Sequence, residues 1–322
     1  MSLSPPLPTL LGPLALLFPG QGVQRAGMGR ELDRLFPAAR AALQRAEEVL
    51  QMPVRRLCFD GPVAELFRTE NIQPCVVAVS YAAHQAFKER FGAVEVEVVA
   101  GHSLGEISAC AASGALSWDE ALLLVRERGR LMAAAAETSP GRMLAIVGLD
   151  EDRVQEIRAA AGSQGGIWMA NLNSPNQFIL SGEAAAISRA EEMANRAGAR
   201  RVTVLEIPLA AHSPLMARAA LALAEKVRQL PIRPPQIPLV ANGSGLVLRS
   251  ARSLRSELQG HLLRPVQWAR TMAALQRLRV GTVVELGPGR VLASLAAKHM
   301  AGVSTWNADE LLVEPELGQP WT

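Results

Sequence analysis

Residues 14–18 (LALLF) form an unbroken apolar run between Pro13 and Pro19, the signature of a short strand buried on both faces, and the run passes straight into Pro19-Gly20-Gln21-Gly22. Helical spacing follows over 37–50 and again over 73–91. Residues 94–100 (VEVEVVA) read as a second strand, 101–105 (GHSLG) as a tight turn, and 106–113 as a helix of small residues. Strand, turn and helix in succession are the grammar of a parallel α/β sheet. Ser117 with Glu120 three residues on has the spacing of a capping box, and the apolar positions continue through Leu131 and Met132, so Arg128 falls inside a helix.

Between 141 and 208 the pattern changes to strand (143–147), helix (151–161), strand (167–171), strand (177–181), helix (183–197) and strand (201–207). This βαββαβ order is that of a ferredoxin-like split unit. The larger pattern then resumes with a helix over 213–229, a strand near Leu239, a helix over 268–278, a strand over 282–286, the turn Gly287-Pro288-Gly289 and a last helix ending near His299. The expected fold class is therefore α/β: a large parallel-sheet, hydrolase-like domain made from 14–140 and 209–303, with a ferredoxin-like subdomain, 141–208, inserted into it. The ends, 1–13 and 304–322, are expected to be flexible; the second carries Asp309, Glu310, Glu314 and Glu316 and no basic residue.

Composition narrows the function classes. With 322 residues, 49% of them hydrophobic and 20% charged, the chain has ample material for a core. Aromatics are only 4% and the formal net charge is +3, which argues against stacking on nucleic acid and against a polycationic arm. The local cluster Arg196, Arg200 and Arg201 is the best candidate for a basic patch, readable as a docking site or as a solvated helix end. Cys58, Cys75 and Cys110 are widely spaced and outside any CxxC pattern, so neither a disulfide framework nor a metal site is indicated and a reducing cytoplasm is expected. The leader lacks a positive region and is broken by prolines, and no run approaches the length of a membrane span.

Gly101-His102-Ser103-Leu104-Gly105 fits a nucleophile elbow, in which serine stands on a strained strand-to-helix turn and flanking glycines let the backbones approach. The bare pattern is a weak signal, but a strand before it and a helix after it are what the elbow requires. The Leu104 amide would then lie at the positive end of the new helix, ready for an oxyanion. Serine needs a base, and there are five histidines. His84 lies in a helix, His299 suits a helix C-terminus, and His102 adjoins the serine on a turn that directs it elsewhere. His212 and His261 remain, His212 on a loop between strand and helix, where catalytic residues collect.

Taken together, these residues give the chain a family likeness: it resembles the malonyl-coenzyme A:acyl carrier protein transacylases and the acyltransferase domains of polyketide synthases. The matching motifs are Phe18-Pro19-Gly20-Gln21-Gly22, Asn71-Ile72-Gln73-Pro74, GHSLGE at 101–106, Arg128-Gly129, Asn173-Ser174-Pro175, His212-Ser213, Pro265-Val266-Gln267-Trp268 and Glu285-Leu286-Gly287-Pro288-Gly289, in family order. The resemblance implies Ser103 as nucleophile, His212 as its base, the amides of Gln21 and Leu104 as oxyanion hole, and Arg128 as the grip on a malonyl carboxylate. It also implies that a main-chain carbonyl near Pro265 orients the histidine in place of an acidic triad member. Gln73, His102, Ala211 and His261 are candidate substrate-binding residues. His261 stands where the family commonly has glutamine, and the small Ala211 would suit an α-branched malonyl unit.

The implied reaction transfers malonyl from malonyl-coenzyme A through a Ser103 ester to the phosphopantetheine arm of an acyl carrier protein, in fatty-acid or polyketide synthesis, with no metal or redox cofactor. The expected protein is a cytoplasmic monomer with no nucleic-acid or membrane partner. The rival readings are an acyl hydrolase or thioesterase with the same dyad, and a transferase for a substituted malonyl unit. An independent chemical argument favours transfer: a planar guanidinium matches a carboxylate bidentately, and a hydrolase of neutral acyl chains has no use for one.

Overall fold

The computed structural model describes residue 10 and residues 12–92 and 94–313. The apolar run at the start becomes β1 (Leu14–Phe18), every residue of it buried. It takes a central place in a six-stranded sheet with β2 (Val96–Gly101), β7 (Leu239–Val240), β8 (Val247–Leu248), β9 (Thr282–Glu285) and β10 (Ser304–Asn307), in the order β10-β9-β1-β2-β7-β8. All pairings are parallel except β7 with β8. Helices cover both faces, which is why β1 reads as a continuous apolar run rather than an alternating one and why every residue of β9 is buried.

A second sheet is antiparallel and runs β4-β5-β3-β6, from β3 (Arg142–Val147), β4 (Ile167–Ser174), β5 (Gln177–Gly182) and β6 (Arg201–Val204). Side chains alternate across it. Leu144, Ile146, Phe178 and Leu180 pack under the helices Glu151–Ala161 and Ala184–Arg196, whereas Met143 and Ile179 point the other way, toward the first sheet. The second sheet is stitched to the segment before the helix Trp268–Arg277, where Leu172 N–H donates to the Val266 carbonyl and Val266 N–H to the Ala170 carbonyl, each at 2.8 Å.

Two expectations are corrected. Residues from Ser304 onward do not form a loose tail as far as they are described: Ser304–Asn307 pair with β9, and Asp309–Val313 form a short helix that buries Leu311 and Leu312. Two of its acidic residues are matched across the chain, Asp309 with Arg25 at 2.5 Å and Glu310 with Arg290 at 2.8 Å. The expectations for 1–9 and 314–322 lie outside the described residues. The second correction concerns the helix expected from residue 73: it runs Thr69–Phe91, with Pro74 inside it. Here the neighbouring helix Trp118–Thr138 comes so close that a Cβ on Gly129 would stand 3.1 Å from the Thr69 carbonyl oxygen, a close approach that favours glycine there.

Candidate active site

The carboxyl ends of β9, β1 and β2 lie side by side, the position where open parallel sheets bind ligands. The chain leaving β2 turns within three residues into the helix Gly105–Ala112, and Ser103 at the apex has φ of 48°, a left-handed conformation strained for serine. Only glycine permits the turn. A Cβ on Gly101 would sit 2.1 Å from the Gly105 carbonyl carbon, and one on Gly105 would sit 2.0 Å from the Phe18 carbonyl oxygen.

Ser103 Oγ lies 2.8 Å from His212 Nε2. His212 Nδ1 lies 2.8 Å from the Arg264 carbonyl oxygen, which can only accept, so Nδ1 carries the hydrogen and Nε2 is free to accept from the serine hydroxyl. Arg264 directly precedes Pro265, the neighbourhood from which a carbonyl was expected. Burial, reinforced by the Arg128 charge, pushes His212 down to about 3, so the imidazole is neutral at physiological pH, with Nε2 unprotonated.

Arg128 is 1% exposed although it is the second-largest of the fully buried side chains. Its Nη1 donates to Gln73 Oε1 at 2.7 Å and its Nη2 to Ser103 Oγ at 3.2 Å. Gln73 is itself steadied through Nε2 on Met132 Sδ. Burial lowers the guanidinium to about 9, against the opposing pull of Glu106, which leaves it cationic at neutral pH. Its Nε has no hydrogen-bond partner among the described residues. A buried cation with unspent donors beside a nucleophile is a site for an anion.

These groups border a cavity of about 390 Å³ between the two sheets. Ser103, His212, Arg128, Gln21, Leu104, His102 and Ala211 all line it, together with Met132, Met143, Ile179 and Leu209 as apolar wall. Neither the Gln21 nor the Leu104 backbone N–H is engaged by a hydrogen bond among the described residues, so both are available to a ligand oxygen. His102 is turned from the serine toward the second sheet, where Nε2 meets Asn173 Oδ1 at 2.8 Å. Two candidates are not on the cavity wall: Gln73 is fully buried behind Arg128, and His261 is buried beneath the nucleophile, its Nε2 3.0 Å from the Ser103 carbonyl oxygen.

Sequence reasoning missed Asn242, whose Oδ1 accepts the Ser103 N–H at 2.9 Å, and Glu106, whose Oε1 accepts the Asn242 N–H at 2.9 Å. Both signals were present: Glu106 closes the GHSLGE motif, and Asn242 follows the carboxyl end of a parallel strand.

The acyl transferase domain matches residues 15–311 of the sequence. The chain belongs to this family. It is 37% identical over 286 residues to the malonyl CoA-acyl carrier protein transacylase of Bacillus subtilis, an alignment covering 88% of this chain and 90% of that protein. The structure of the malonyl CoA-acyl carrier protein transacylase of Coxiella burnetii superimposes with a TM-score of 0.89 at 32% identity, covering 94% of this chain and 96% of that one. A type II PKS malonyl-transacylase, solved in complex with its acyl-carrier protein, gives the same TM-score and identity over 94% of this chain and 99% of that chain. This acyl transferase has an α/β fold with a mostly parallel sheet and a second, antiparallel one, and among its described residues no helix is long and apolar enough to cross a membrane.

Proposed function

We propose that this acyl transferase takes a malonyl group from malonyl-coenzyme A onto Ser103 and passes it to the phosphopantetheine thiol of an acyl carrier protein. The observation that carries the reading is Arg128, a buried cation whose Nη2 lies 3.2 Å from Ser103 Oγ and which borders the same cavity as the serine. The malonyl carboxylate binds the guanidinium, which sets the thioester carbonyl against Ser103.

As Oγ attacks the carbonyl carbon, its proton moves to His212 Nε2, and the developing oxyanion accepts hydrogen bonds from the Gln21 and Leu104 amides. The imidazolium so formed is held by its Nδ1–H bond to the Arg264 carbonyl. Collapse of the tetrahedral adduct breaks the carbon–sulfur bond, and His212 returns the proton to the departing thiolate. The carrier thiol then repeats the sequence in reverse: it gives its proton to His212 and attacks the ester, and Ser103 leaves and is reprotonated. The scheme uses only side chains and backbone amides.

The second sheet, with its order β4-β5-β3-β6 and two helices on one face, is read as a ferredoxin-like subdomain over 141–208. The hydrolase-like remainder is extended from 303 to 313 because β10 completes its sheet. A cytoplasmic monomer serving fatty-acid or polyketide synthesis is the setting proposed. Intact-protein mass after mixing with malonyl-coenzyme A tests the first half of the reading: a malonyl adduct is expected on the wild type and none on Ser103→Ala. An adduct that survives Ser103→Ala would overturn it.

A further inference from the structure

Ser103 stands between two peptide planes, and both are gripped from behind the cavity. The preceding plane ends in the Ser103 N–H, which donates to Asn242 Oδ1 at 2.9 Å. The following plane begins with the Ser103 carbonyl, which accepts from the Glu106 N–H at 2.9 Å and from His261 Nε2 at 3.0 Å. A trans peptide holds its C=O and the next N–H on opposite edges of one rigid plane. Whatever fixes the Ser103 carbonyl therefore aims the Leu104 N–H, and Leu104 borders the cavity while His261 does not.

We propose that His261 is a positioning residue whose ring Nε2–H locks the Ser103–Leu104 peptide with the Leu104 amide turned into the cavity, so that the oxyanion hole is formed before substrate arrives. The inference rests on the acyl-transfer reading above.

Three features suit the ring to this task. It is 3% exposed and stands nearly perpendicular to His212, with centroids 6.4 Å apart and planes at 82°, so packing fixes its orientation. The carbonyl it meets can only accept, which places the ring hydrogen on Nε2. Glu106 Oε2, 3.5 Å from that nitrogen and without a hydrogen-bond partner among the described residues, favours the same tautomer. Without the ring, the carbonyl would keep only the Glu106 N–H, and the strained Ser103 backbone would gain freedom to relax. Rotation of the plane swings the Leu104 N–H away from where the oxyanion forms. Glutamine, which the family resemblance leads one to expect at this position, has a side-chain N–H of comparable reach and could hold the same carbonyl.

The test uses the full chain and single-turnover malonylation, which separates the rate constant at saturation from the half-saturation concentration of malonyl-coenzyme A. His261→Leu is expected to lower the rate constant about tenfold or more, short of the ~10²–10³ lost when an oxyanion donor is deleted, with half-saturation changed less than about twofold. His261→Gln is expected to restore most of the rate. If leucine prevents folding, His261→Asn, polar but too short to reach the carbonyl, is expected to show the same fall. Wild-type rates in the leucine or asparagine variant, a change in half-saturation alone, or a glutamine variant no better than these would overturn the positioning role. Ser103→Ala, run alongside, distinguishes the two levels: labelling that persists in it would sink the acyl-transfer reading itself, whereas a silent Ser103→Ala beside a fully active His261→Leu would sink only this inference.

Discussion

Arg128→Ala separates substrate recognition from the rest of the chemistry. In the wild type the guanidinium is buried, cationic, and bonded to Gln73 Oε1 and Ser103 Oγ at 2.7 and 3.2 Å. A carboxylate entering the cavity completes an ion pair out of contact with bulk water. At about 4 Å and an effective dielectric of ~20, such a pair is worth ~4 kcal/mol. Removing one partner of a buried pair typically costs ~3–5 kcal/mol. At ~1.36 kcal/mol per tenfold, kcat/KM for malonyl-coenzyme A should fall by roughly 10² to 10⁴. The truncation also strips Ser103 Oγ and Gln73 Oε1 of a donor each, but those losses are common to every acyl donor. The informative quantity is the ratio of malonyl- to acetyl-coenzyme A, each followed by release of free thiol in wild type and variant. That ratio should drop by at least about tenfold, and Arg128→Lys, a point charge without the planar fork, should fall between. Equal losses for the two donors would refute the carboxylate clamp.

Two further outcomes follow from the geometry. Because burial and Arg128 hold His212 down to about 3, well below the 6.5 of a free imidazole, the base stays unprotonated on acidification, and kcat/KM should hold nearly level from pH 7 to about pH 5; a tenfold fall per pH unit below 6.5, in enzyme still folded by circular dichroism, would contradict that assignment. Gly105→Ala would drive a Cβ to 2.0 Å from the Phe18 carbonyl oxygen, a backbone clash that no side-chain movement relieves, and urea unfolding should show a loss above about 4 kcal/mol; a midpoint equal to the wild type would mean that the elbow is not held so tightly.

Much of the fold was legible because local signals agreed with the long-range packing. The run at 14–18, the Ser117–Glu120 capping box and the apolar run at 143–147 each state their environment within a few residues. Strand β10 was not legible: Ser304–Asn307 is a four-residue edge strand of mixed polarity, and what orders it, pairing with β9 and the burial of Trp306, lies far away in sequence. The same holds for Asp309, whose partner Arg25 is 284 residues distant. At the site, residues that meet the cavity were readable from chemistry and motif. Those behind it were not, because a buried amide or imidazole acting on a backbone group leaves no periodicity. Gln73 and His261 were read as substrate-binding candidates, and the contacts the structure adds, to Arg128 and to the Ser103 carbonyl, have no mark in the sequence. Asn242 escaped notice for the same reason.

The central claim is transfer, and it is tested most directly by isolating the malonylated protein, adding a carrier protein that bears its phosphopantetheine arm, and weighing both proteins over time. The proposal predicts that the enzyme loses one malonyl group as the carrier gains one, with no free malonate beyond the background of the isolated ester. Loss of the group from the enzyme into solution as malonate, with the carrier unchanged in mass, would contradict it and identify the dyad as a hydrolase.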